Sequence, residues 1–377
     1  MTHMNKRHIS FGDLKIGKTA RQHINDCLDN NWITMGPKTE LFEQEWGKLF
    51  NYPYNISTSS GTDALLVSLL SLYEYGAVKG KSEVILPALS FISTANAIRC
   101  AGFIPRWVDI KKETLNIDET QIEENINDNT ICLLPVHTMG RPCKMDKICD
   151  IANKYNLTII EDACESHSAK YKNQYIGTFG AMACFSFFTA HACVCGEQGI
   201  ISCKNESLSH ILRSIRNHGR SGPYFDFPRW GMNSKNTDLT SAIGLEGIEQ
   251  FWNNFKIRYD NMKRLRNGLD KFSDIVWFSE EDEGNINCPH GFSITLKEAG
   301  KRNILTRVLD EADIEWKRNF GCTPQHGAFE GDNYQIGKFP NSEYVGNNGV
   351  HVGLHHYLSK DDVDYMIFNI SKALEKC

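Results

Sequence analysis

Six short apolar runs recur through the middle of this chain: EVILP (83–87), RWVDI (106–110), ICLLPV (131–136), LTIIED (157–162), CFSFF (184–188) and GIISC (199–203). Each is of strand length, and amphipathic stretches of helical period lie between most of them, at 64–75, 92–100, 118–126, 145–155 and 207–217. Short buried strands alternating with helices predict an α/β fold: a mainly parallel sheet with helices on both faces. After about Leu239 a long helical stretch runs toward Lys271. Strand-like WFSEE and FSITL follow it, then helices around 301–312 and 360–375. The expected organisation is a large α/β domain over 1–250 and a small C-terminal α+β domain over 251–377, bridged by the long helix.

Composition removes several function classes. The net charge is −5 and charges of both signs are interspersed, which gives no basic surface for nucleic acid. No window approaches the roughly 20 apolar residues of a membrane span. The opening MTHMNKRHISFGDLK has no apolar run behind its basic residues, so no signal peptide is expected. Thirteen cysteines, an odd number scattered through strand-like and helix-like segments, read as free thiols of a cytoplasmic protein.

In a parallel α/β sheet, ligands sit at the carboxyl ends of the strands, so the residues after each run deserve inspection. These include Phe91, His137, Asp162, Glu165, Ser186 and His191. STSSGTDALLVSLL (57–70) is a strand end, a Ser-Gly-Thr turn and an apolar-faced helix. Such a turn caps an ordinary helix or seats a phosphate on free N–H groups. Asp162, ending a hydrophobic run, needs a partner for its charge, either a cationic ring nitrogen or an arginine. Phe91 offers a flat face for stacking or for the core. His191, in SFFTAHACVCGEQG (186–199), is an imidazole emerging after a strand, structural or basic.

Taken together in order and spacing, these segments resemble one family. They are TMGPKTELFEQEW (34–46), SSGTDAL, LPALSFISTANAI, IIEDACESHSA, GTFGAMACFSFF, IRNHGR and GMNSKNTDLTSAIGLEGIEQ (231–250). The chain resembles the fold-type I, vitamin B6-dependent sugar aminotransferases of the DegT/DnrJ/EryC1/StrS family. The resemblance implies that Gly61, Thr62 and Ser186 hold a cofactor phosphate and that Phe91 stacks on the pyridine ring. It implies that Asp162 pairs with the pyridine nitrogen, and that Asn233 reaches the phosphate across a homodimer interface, so that active sites are shared.

Aminotransferases of the family carry lysine where this chain has His191. Lysine binds pyridoxal phosphate (PLP) covalently and shuttles a proton; imidazole keeps only the second ability. A branch of the family with histidine here and an EDxCES run, matched by Glu161–Ser166 and so including Glu165, consists of pyridoxamine phosphate (PMP)-dependent nucleotide-sugar 3-dehydratases. The resemblance thus implies a lyase with non-covalent PMP/PLP, His191 as base, an NDP-4-keto-6-deoxyhexose as substrate and glutamate as amino donor. A transaminase using histidine, or a non-catalytic sugar-nucleotide binder, are the alternatives. The chain departs from the branch at Ala192, where a second histidine is usual, at Glu197-Gln198-Gly199, and at Lys235, where arginine is usual. Arg220, Lys235 and Arg318 are candidate substrate cations, with Arg229 and Lys317 beside them. Cys193, Cys195 and Cys203 have spacing found around [2Fe–2S] clusters in a related branch. There the trio lies downstream, near the segment equivalent to 216–231, which has no cysteine here, so no metal is expected.

Overall fold

The computed structural model describes residues 6–75, 80–329 and 336–377. Strands β1 (Tyr54–Thr58), β2 (Glu83–Pro87), β3 (Ile104–Val108), β4 (Thr130–Leu133) and β5 (Thr158–Asp162) precede a two-stranded hairpin, β6 (Lys170–Tyr171) and β7 (Gln174–Tyr175). With β8 (Met182–Ser186) and β9 (Gly199–Cys203), the first five form a seven-stranded sheet in the order β1-β9-β8-β5-β4-β2-β3. Neighbours from β3 to β8 are parallel, whereas β9 is antiparallel to both β8 and β1.

Side-chain alternation at period two splits each strand between two cores. After helices α1 (Lys18–Asp29) and α2 (Pro37–Phe50) come α3 (Gly61–Tyr75) and α4 (Ile92–Cys100); Val84, Leu86, Met182 and Cys184 face one side, with α3 and α4. Ile85, Ala183 and Phe185 face the other, with Phe42, Trp46 and Phe50. Both faces are therefore buried, which is why these strands read as continuous apolar runs.

A second, four-stranded antiparallel sheet has the order β10-β11-β13-β12, from β10 (Val276–Phe278), β11 (Gly291–Leu296), β12 (Trp316–Arg318) and β13 (Gly349–Gly353). Its core, with Leu265, Phe292, Ile294, Leu305, Val352 and Met366, also takes in Ile9 from the start of the chain. Ile9 bridges Ile314.

Two helix expectations need correction. The 118–126 stretch is not an α-helix but two 3-10 turns, Glu119–Gln121 and Glu123–Asn125. The Asp118 carboxylate accepts from the Thr120 N–H and hydroxyl, and Ile126 is already extended, so the turn never propagates. The long stretch after Leu239 is two helices, Asp238–Glu249 and Phe251–Gly268, broken where Gln250 adopts φ −95°, ψ 3°.

Candidate functional site

The site forms where β1, β5 and β8 end together. Ser60 caps α3 by accepting the Asp63 N–H at 3.1 Å, which leaves the first-turn amides of Gly61 and Thr62 at the positive end of the helix. A Cβ on Gly61 would lie 2.7 Å from Ser186 Cβ and 3.0 Å from Cys164 Sγ, so a side chain there would fill the seat. Gly199 is equally constrained, its missing Cβ falling 2.2 Å from Ser60 O. The turn, the strand-end serine and the loop after β5 are thus in direct contact.

Asp162 is buried, with Thr94 Oγ1 donating to Oδ2 at 2.8 Å and the Cys164 N–H to Oδ1 at 3.3 Å. Burial pushes its carboxyl up, against the pull of these two donors, and no cationic side chain lies against it among the described residues. Phe91, the residue just before α4, is 60% exposed, with Phe320 at 6.3 Å. A free aromatic face, an unpaired buried carboxylate and a helix N-terminus are complementary to a flat cationic ring bearing a phosphate.

His191 lies in the loop after β8 and is buried, its Nδ1 without a partner among the described residues. Burial first, then the neighbouring His290, His167 and Arg258, hold its imidazole well below the usual range. It is therefore neutral, its lone pair unprotonated, throughout the neutral range. The Glu165 carboxylate is spent on protein donors: Oε1 lies 3.1 Å from His290 Nε2, and Oε2 accepts the Met139 N–H at 2.7 Å. Burial raises its carboxyl, but His290 and Met139 outweigh that and hold it low.

The remaining candidates separate. Asn233 is exposed on a segment whose neighbouring Ser234 carbonyl accepts the Ser59 N–H at 2.9 Å, so it runs beside the Ser-Gly-Thr turn. Lys235 donates to Asn217 Oδ1 at 3.1 Å, and burial, Arg216 and Arg220 all lower its ammonium. Arg220 and Lys235 are therefore electrostatic neighbours. Arg318 belongs to the second sheet and donates to Gly346 O. Arg229 pairs with Glu74, and Lys317 lies over Phe11. His137 is a core residue, bound to Glu161 and accepting the Cys143 N–H.

The cysteine trio is split. Cys193 and Cys195 pack against the helix over Asp238–Glu249, at Gly247 and Gly244. Cys203 pairs with Met182 at the far end of β9, about 13 Å from the Ser186 end. Among the described residues no cluster of His, Cys, Asp or Glu could hold a metal.

Sequence reasoning missed His290, Arg258 and Thr94. His290 precedes β11 and stands 4.9 Å, ring to ring, from His191, although nothing in CPHGF marks that strand start as facing the large sheet. Arg258 sits among surface-like charges in KIRYD yet is fully buried. Thr94, in SFISTAN, lies in the first turn of α4, three residues after Phe91, and its spacing from Phe91 was the available signal.

The sequence as a whole matches a known family. The DegT/DnrJ/EryC1/StrS aminotransferase family matches residues 14–371. The chain belongs to it. GDP-4-keto-6-deoxy-D-mannose 3-dehydratase of Escherichia coli O55:H7 is 30% identical over 374 residues, covering 91% of this chain and 94% of that protein. GDP-perosamine synthase of Escherichia coli O157:H7 is also 30% identical, covering 93% and 94%. In fold, Spr1654 of Streptococcus pneumoniae in its PMP form superposes with a TM-score of 0.91 at 23% identity, covering 98% of each chain. The chain is accordingly an enzyme-family member with the fold of the sugar aminotransferases, and no helix among its described residues is long and apolar enough to cross a membrane.

Proposed function

We propose that this chain is a nucleotide-sugar 3-dehydratase, a lyase that holds PMP/PLP without a covalent link. Its substrate is an NDP-4-keto-6-deoxyhexose, and its product serves deoxysugar synthesis for surface polysaccharide or glycoconjugate. The observation that carries this reading is His191, a buried neutral imidazole in the loop after β8, at the position where the resemblance implies a lysine in the family's transaminases. When bound, the cofactor supplies an amine for the C4 ketone and a ring that accepts electrons.

The chain's residues divide the remaining work. Asp162 keeps a proton on the ring nitrogen, because a buried carboxylate favours a cationic partner. Phe91 stacks on the ring, and the Gly61 and Thr62 amides with the Ser186 hydroxyl hold the phosphate. Glu165 acts on the cofactor side only through what it fixes, His290 and Met139. His191 Nε2 removes the proton from the carbon next to the amine, Nδ1 being enclosed. Arg220 and Lys235 supply charge for a diphosphate, with Arg318 a third candidate. Glutamate is the amino donor that would return the cofactor to its amine form.

A second copy of the chain is the expected partner. Asn233 points to a shared site, and the exposed Phe225 and the 94%-exposed Trp230 on the preceding loop give apolar surface for an interface. Transamination has support of its own in the perosamine synthase relative. Mass spectrometry of a 4-keto nucleotide sugar incubated with enzyme, PMP and glutamate separates the readings. Loss of the C3 oxygen is expected; an amino sugar would mean transamination, and unchanged substrate would leave a binding protein.

A further inference from the structure

Arg258 is 1% exposed and has no carboxylate partner among the described residues. Burial pulls its guanidinium down to about 10, so the fold keeps this charge at a cost. Among the described residues, its hydrogen bonds all go to main-chain carbonyls. Nη1 donates to His191 O at 3.0 Å, and Nη2 to Ala190 O at 2.7 Å and to His290 O at 3.3 Å. Nε donates to Pro289 O at 3.1 Å. These carbonyls belong to two segments about a hundred residues apart, the loop carrying the base and the turn entering β11. A planar five-donor fork can join them, whereas the three donors on a lysine's single nitrogen cannot cover the same spread.

The ring of His191 is flanked as its backbone is held. The His290 imidazole lies 4.9 Å away, tilted by 31°, and is itself fixed at its far edge by Glu165. We propose that Arg258 and His290 form a brace that sets the position of residue 191: Arg258 fixes its carbonyl, and His290 fixes its ring. Both are positioning residues, and neither touches the reacting atoms. The brace joins the base loop to the second sheet, so the base is placed by both halves of the molecule. This inference rests on residue 191 facing the cofactor, and its test reports on that separately.

The test uses the full-length His191→Lys protein loaded with PLP, reading the rate at which borohydride-trappable cofactor becomes attached to residue 191. If His191→Lys alone traps no cofactor, the placement of residue 191 fails, and the brace, which has no base left to position, falls with it. If it traps, Arg258→Lys and His290→Gln are added singly. Each should slow capture by about tenfold to a hundredfold, the scale of a misplacement near 1 Å, while non-covalent PLP binding by fluorescence stays unchanged. Should Arg258→Lys not fold, His290→Gln, which removes the ring beside His191 and keeps an N–H donor for Glu165, decides alone. Capture within twofold of the parent in the folded variants would overturn the proposal.

Discussion

Thr94 donates its hydroxyl to Asp162 at 2.8 Å, tying the first turn of α4 to the end of β5 and aiming the carboxylate into the site. Phe91 accepts the Thr94 N–H at 3.2 Å, so the same turn sets both the aromatic face and the acid. Asp162→Asn removes the charge and keeps the shape. Cofactor affinity, by fluorescence titration, should fall about a hundredfold, the equivalent of ~3 kcal/mol for a lost buried charge partner. Thr94→Val should cost less, since one hydrogen bond is worth about 1 kcal/mol. Unchanged affinity in Asp162→Asn would mean that no ring cation meets this carboxylate.

The cysteines beside the base are explained by packing. A Cβ on Gly244 would lie 2.3 Å from Cys195 Sγ and 2.6 Å from the Phe42 ring. Gly244→Ala should therefore destabilise the fold by about 1–3 kcal/mol in urea unfolding, the usual cost of overpacking. Adding Cys195→Ala should recover part of that loss, because the two positions share one space. Strictly additive effects would show that the thiol does not fill it.

Acid should weaken the fold before it touches most carboxylates. Burial holds His167 and His351 at about 3 and His356 at about 4. Because these imidazoles bind protons less readily when folded, the unfolded chain takes up more protons below about pH 6.5. Their contribution is full above that pH and is lost as pH falls toward the folded values. The urea midpoint should drop between about pH 7 and pH 5, and His351→Gln should flatten the drop. A midpoint constant over that range would contradict the burial of these rings.

Much of this was legible because a sheet buried on both faces writes itself as short apolar runs. All six runs contain strands of the large sheet, and the residues that end or follow those strands, Phe91, Asp162, Ser186 and His191, lie at its carboxyl edge. The reversed direction of β9 was not legible, since GIISC has the same pattern either way round. Nor was β13, whose GVHVG reads as weak strand until β11 and β12 close on both its edges. His290 and Arg258 escaped for a different reason. Their roles come from contacts across about seventy to a hundred residues of sequence, and neither local spacing nor residue type encodes such a contact.

The central claim is that the neutral base at 191 drives loss of a hydroxyl rather than transfer of an amine. A single turnover of PMP-loaded enzyme with a 4-keto nucleotide sugar, in the absence of glutamate, tests it by the fate of the cofactor nitrogen. Dehydration predicts ammonia released in step with PMP consumed, together with a sugar lacking its C3 oxygen. An amino sugar formed with no free ammonia would contradict it.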